Sequence, residues 1–363
     1  MALQRSALYQ FTGDADITMR ERFGWELPVT ISTAANEYLG ATAGVAVHDI
    51  SYVGRLHAIG EDALDLLNRL STNKVDELAS GQGAPTILTT DSGRILDLIQ
   101  VVNMGDHTLM ITSPELQQAL IEWLDKYTIM EDLEVEDHTT RYAMLHLLGP
   151  HSRQWLEQTG SVDLASLSPY GAMPAKIAGV AVQVIDKPFG PLPGFALLLS
   201  NQDAPELWTH LMETGVTPMG TEAYETVRVE NAVPAYGAEM GEPYNPLEAG
   251  LIGSIDFAKG CYIGQEVIAR LDTYQKVQKH LMTLRFSAES TPMAGSGLVQ
   301  DGRVIGRVTS LGSIPGGRDN GHVVGLGYVR KAFALEGTRL ELEAPAVGWA
   351  EITGFSRLFG PGA

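Results

Sequence analysis

Cysteine is nearly absent: the 363 residues contain one, Cys261. That excludes an internal disulfide framework, a metal site built from several thiolates, and an iron–sulfur cluster held by four cysteines of one chain. Basic residues are also scarce, 25 Lys and Arg against 44 Asp and Glu, and the formal charge of −19 repels a phosphate backbone or an anionic membrane over most of the surface. Direct nucleic-acid binding is not expected, although a local Arg or Lys suffices for a small anion. No stretch approaches the ~18 consecutive apolar residues of a membrane span. The N-terminal stretch carries Asp14, Asp16 and Glu21 and no apolar run, which fits neither a secretory signal nor an Arg-rich transit peptide. The expectation is a cytoplasmic protein without a membrane partner. A P-loop, a G-x-G-x-x-G after a strand, a G-x-S-x-G elbow and an H-E-x-x-H are all missing. The 9 histidines are scattered, and the closest pair, His146 and His151, straddles Gly149-Pro150, so no metal site is expected.

What is present is an ordinary globular composition, 44% apolar and 19% charged, at a length that suits two or three domains. Short helical stretches are expected before residue 45, strand-like text from Val45 to Ile59, and a helix over Glu61 to Leu70. An antiparallel meander follows, Thr86–Thr90 and Ile95–Val102 about an Asp91-Ser92-Gly93 turn, then His107–Thr112. Ser113-Pro114 reads as the start of a helix, with an N-cap and a proline at the first position. From Arg141 a second unit sets strands ahead of helices, which favours α+β over a doubly wound sheet. From His280 onward only short strands separated by Gly and Pro remain, the pattern of a small β-barrel or sandwich.

The most informative stretch runs from Asn245-Pro246-Leu247-Glu248 through Lys259-Gly260-Cys261-Tyr262-Ile263-Gly264-Gln265-Glu266. A helix is expected to begin near Cys261, exposing the thiol to unpaired amides, a helix dipole and the Lys259 charge, all of which favour a thiolate. The competing reading is a buried cysteine acting as a small hydrophobe. Asp97 lies where strand alternation puts it on one face with Ile99 and Val101. Read as a strand, Arg228 and Glu230 also share a face, so Glu230 either pairs with Arg228 or reads a ligand bidentately. The run Glu131, Asp132, Glu134, Glu136 and Asp137 reads as a solvated acidic face.

The segment Lys259 to Glu266, with Ala269-Arg270 after it and Pro246-Leu247-Glu248 before it, resembles the signature of the folate-binding YgfZ family, which acts in iron–sulfur cluster assembly. Val47-His48-Asp49-Ile50-Ser51, Leu70-Ser71-Thr72-Asn73, Arg94 to Ile99, Arg228-Val229-Glu230 and Gly306 to Ser310 are similar, in the same order, to motifs of the wider superfamily of the glycine cleavage T-protein, an aminomethyltransferase. The resemblance implies an α+β, three-domain cloverleaf with a C-terminal β-barrel: residues 1–50 with 141–275, carrying the cysteine motif; 51–140, carrying Asp97; and 280–363. It implies a tetrahydrofolate-binding accessory protein of iron–sulfur assembly or repair, with iron–sulfur client or assembly proteins as partners. The alternative is a folate-dependent aminomethyltransferase-like enzyme. Cys261 and Asp97 are then the chemical residues, and Glu230, Asp97, Ile99 and Arg270 the folate contacts. Three positions depart from the T-protein pattern: Leu96 replaces the first of two adjacent aspartates, Pro85 a tyrosine and Thr112 an asparagine.

Overall fold

The computed structural model describes residues 3–12, 17–316 and 321–356; Asp14 and Asp16 lie outside them. The chain divides into two compact units, Met1–Thr86 with Leu98–Tyr224, and Ile87–Asp97 with Glu225–Ala363.

The first unit contains a six-stranded sheet in the order Ala172–Ile177, Val180–Asp186, Gly194–Ser200, Tyr142–Leu148, Ala46–Asp49, Thr217–Pro218. Its neighbours are antiparallel except the last pair. One face carries Phe195, Leu197 and Leu199, which pack with Trp155 and Leu156 of the helix Ser152–Gln158 and with Leu207 and Trp208 of the helix Ala204–Glu213. Burying these side chains is the main driving force for the layer, at roughly 25 cal/mol per Å² of apolar surface. A second sheet runs Gly83–Thr89, Ile95–Asn103, Thr108–Thr112, Gly54–Ile59, Glu134–Asp137, and the tip of its first hairpin is counted with the second unit.

Two local expectations are corrected. Before residue 45 there is also a hairpin, Met19–Arg22 with Trp25–Pro28, whose turn residues Phe23 and Gly24 both have positive φ. The helix expected from Ser113-Pro114 starts later, as Gln117–Asp125, because Glu115 at φ 63° interrupts the helical path; Leu116 at its N-cap supplies no side-chain bond.

The second unit is built on a closed barrel in the order Lys279–Phe286, His322–Arg330, Arg303–Ile314, Gly297–Gln300, Arg339–Leu342, Trp349–Phe355. Alternate residues turn inward, and Met282, Leu284, Leu298, Val308, Val329 and Ile352 fill the barrel. Val229, near the end of the helix Thr221–Glu230, packs with Leu281, Leu326 and Tyr328 of its strands. Among the described residues no helix is long and apolar enough to cross a membrane.

Candidate functional site

In the second unit the hairpin tip ahead of Asp97 is clasped by Pro243 and Tyr244, just before the Asn245 segment, and by the cysteine motif. The tip closes through Gly93 N–H to Thr90 O (2.9 Å) and Thr90 N–H to Arg94 O (2.9 Å), with Gly93 at φ +68°. Ile95 N–H donates to Tyr244 O (3.1 Å), and Arg94 Nη1 reaches Pro243 O (3.4 Å). On the cysteine side, Thr89 Oγ1 donates to Ile263 O (2.6 Å). Gly264, at φ +82°, presses so closely that a Cβ there would meet Thr90 O at 2.5 Å and Gly93 Cα at 3.0 Å. Gly264 therefore serves close backbone packing against the hairpin, whereas Gly260 has open space around it. Asp97 is fully buried, as are Ile95 and Ile99, while Leu96 and Leu98 are half-buried; the expected alternation holds to Ile99 and then ends, since Gln100, Val101 and Val102 are all buried.

The surroundings add Tyr236, Glu239, Tyr244, Lys279 and Tyr328, which sequence reasoning did not select. Burial raises the Tyr236 hydroxyl above its ordinary pKa, and the charges of Asp97 and Glu242 raise it further. Glu248 is raised chiefly by burial, against the opposing charge of Lys279, its hydrogen bond from the Asn245 amide and the charge of Arg94, 4.0 Å away. The Lys279 ammonium lies 4.4 and 4.9 Å from the ring centres of Tyr244 and Tyr328, which stack at 4.2 Å. Arg228 is buried with Glu225 (3.2 Å), Glu239 (3.1 Å), Ser310 Oγ (2.8 Å) and Val233 O (2.6 Å) as its acceptors. No local pattern marks Glu239, and nothing in the Gly306–Ser310 motif foretells that Ser310 meets Arg228 and Glu239.

Three expectations for this region change. Arg228 and Glu230 are helical, not extended, so residues two apart point away from each other: Arg228 is buried, and Glu230 is exposed at the helix end. Glu230 lines a pocket of about 170 Å³ with Arg285 and His322 of the barrel, away from the clasp described above. The helix expected near Cys261 begins at Gln265 with Gly264 as N-cap, so the thiol sits in the loop ahead of the first turn. Cys261 is exposed, which removes the buried-hydrophobe reading. Lys259 is buried instead, its ammonium 5.4 Å from the Tyr262 ring centre. Arg270 is exposed on the helix Gln265–Thr273.

The scattered histidines of the first unit include a cluster. His57, His107 and His138 stack, with His57 in the middle at 4.0 and 3.9 Å between ring centres. Burial, followed by its two imidazole neighbours, lowers the His57 pKa to about 4. His57 Nε2 and His138 Nδ1 are buried with no hydrogen-bond partner. The three residues belong to or flank three different strands, so no spacing rule detects them. Among the described residues no group of three or more His, Cys, Asp or Glu is placed to hold a metal ion.

Comparison with known proteins places this geometry in context. The GCVT N-terminal domain profile matches residues 8–259. A chloroplastic protein of Arabidopsis thaliana, provisionally named a transferase, is 36% identical over 81% of this chain and 67% of its own length. The aminomethyltransferase of Symbiobacterium thermophilum is 28% identical over 94% and 93%. The crystal structure of the glycine cleavage system aminomethyltransferase T from Bartonella henselae superposes with a TM-score of 0.85 over 98% of both chains at 21% identity, which establishes a shared mixed α/β fold.

Proposed function

The chain belongs to the GCVT family, within the glycine cleavage T-protein superfamily, and from that premise we propose that it is a tetrahydrofolate-dependent one-carbon transferase of the aminomethyltransferase type. The observation that carries this reading is Asp97, a carboxylate fully buried on an otherwise apolar strand face and fixed by a clasped hairpin. A reduced folate supplies a nucleophilic ring nitrogen that accepts a one-carbon unit. A carboxylate held beside that nitrogen in a water-poor setting orients it and stabilises the positive charge that develops on the transferred carbon. The residues present fit that need: Asp97 brings the charge and Ile99 an apolar wall. Pro85 and Thr112, both buried, offer neither the phenol nor the amide of the T-protein pattern, so the grip on the ring rests more heavily on Asp97.

In this reading the domains follow the three ranges expected from the sequence, and Arg270, exposed on its helix, is assigned to the glutamyl carboxylates of folate. Glu230 contributes least, because an exposed carboxylate competes with water for the donors of a pterin. The protein works in the cytoplasm, with folate as its small-molecule partner. Titration of the whole chain with 5-formyltetrahydrofolate tests the binding step. Saturable binding that weakens about tenfold or more in Asp97→Ala supports it. Absence of binding to the folded wild type contradicts it.

A second reading rests on one observation, the exposed thiol of Cys261 within its motif: an accessory role toward iron–sulfur client or assembly proteins. Its test is rescue of a [4Fe–4S] enzyme in a host lacking its YgfZ-like protein. Rescue by the wild type and by Asp97→Asn but not by Cys261→Ala would favour this reading over the transferase.

A further inference from the structure

The first unit holds a cavity of about 640 Å³, lined entirely by its own residues. That volume lies in the range of roughly 300–1,000 Å³ typical of small-molecule sites. Much of the wall is apolar: Met104, Ala181 and Leu198 line it together with His57 and Tyr142. Two side chains of opposite charge, Lys176 and Asp203, also line it.

Neither charge is used by the fold. Lys176, exposed on the strand Ala172–Ile177, stands opposite Ala181 in the ladder, a residue with nothing to offer an ammonium. Asp203 occupies the N-cap of the helix Ala204–Glu213, where an aspartate ordinarily accepts an amide of the first turn, yet its carboxylate makes no capping bond. In water both charges are well solvated and cost nothing. A ligand that fills the apolar cavity displaces that water, and the ligand's own charges decide whether covering the two groups is tolerable. A neutral apolar molecule strands both charges. A monoanion answers Lys176 and leaves Asp203 unpaired, and a monocation does the reverse. His57 stays neutral at physiological pH because burial lowers its pKa to about 4, so it adds no third charge to this balance.

We propose that this cavity binds a small zwitterion with a large apolar side group, that is, a free amino acid of the phenylalanine type, with its carboxylate on Lys176 and its ammonium on Asp203. The apolar body fills the wall of Leu198, Met104 and Tyr142, and the aromatic faces favour a ring over a straight chain. This site is independent of the folate reading.

The test is calorimetric titration of the whole chain, without folate, with L-phenylalanine, phenylacetate and phenethylamine. The expected result is saturable binding of L-phenylalanine, with each single-charge analogue weaker by about tenfold or more. Lys176→Met and Asp203→Asn, each with an unchanged thermal melt, are expected to weaken L-phenylalanine to the level of the analogue lacking the matching charge. No saturable binding to the wild type, equal binding of all three probes, or wild-type affinity in both variants would overturn the proposal. Because no folate is present, failure here leaves the transferase reading standing, and failure of folate binding leaves this site standing.

Discussion

Arg228 in the second unit and His57 in the first are both buried nitrogen bases, and the two units treat them in opposite ways. Desolvation works to neutralise Arg228, but Glu225 and Glu239 outweigh it and hold the guanidinium pKa above its ordinary value. His57 is also desolvated, its neighbours are imidazoles, and its pKa falls to about 4. Burial alone does not set a charge state; the partners supplied by other elements do. Arg228 is answered with carboxylates, and His57 is kept neutral.

Breaking the satisfied side gives the largest effect. Arg228→Met leaves Glu239 buried without its cation and is expected to cost about 3–5 kcal/mol, read by urea denaturation. A loss near zero would mean that the network contributes nothing. The clasp comes next: Gly264→Ala forces an L side chain into positive φ against Thr90 O, and about 2–3 kcal/mol should be lost, with the Asp97 hairpin gaining amide exchange. Unchanged exchange there would separate the cysteine loop from the hairpin.

The neutral side is sharpened by pH. With the folded pKa near 4 and an ordinary value of 6.5, the unfolded chain takes up the His57 proton first. The contribution is present in full above pH 6.5 and is lost as pH falls toward 4, about 1–3 kcal/mol in all. His146, buried and lowered to about 3, adds a slope of the same sign. His57→Phe should flatten the stability profile between those pH values by its own share, and an unchanged profile would contradict the neutral stack. The smallest effect belongs to Glu230→Gln: folate affinity should change less than about threefold, as expected of an exposed carboxylate.

Part of the second unit's packing was legible because it is written in contiguous residues. Gly93 and Gly264 encode backbone packing, and period-two alternation put Asp97 on one buried face with Ile99. Arg228-Val229-Glu230 misled because three residues carry no reliable period: read as a strand, they join two side chains that the helix sets apart. The helix after Gly264 was displaced because its start is fixed by a left-handed glycine packed on another segment, a tertiary cause. The imidazole stack and the Lys176–Asp203 cavity were invisible for the same kind of reason, since each is assembled from strands distant in sequence. This chain's departures from the T-protein pattern at Leu96, Pro85 and Thr112 were legible as letters.

The decisive measurement is a single-turnover assay with the folded whole chain, tetrahydrofolate and an aminomethyl donor, following formation of methylenetetrahydrofolate in the wild type and in Asp97→Asn. Tetrahydrofolate-dependent product from the wild type, reduced about 10²–10³-fold in the variant with an unchanged melt, is the expected result. Equal rates in the two proteins, or no product from a wild type that binds the folate, would contradict the role given to Asp97.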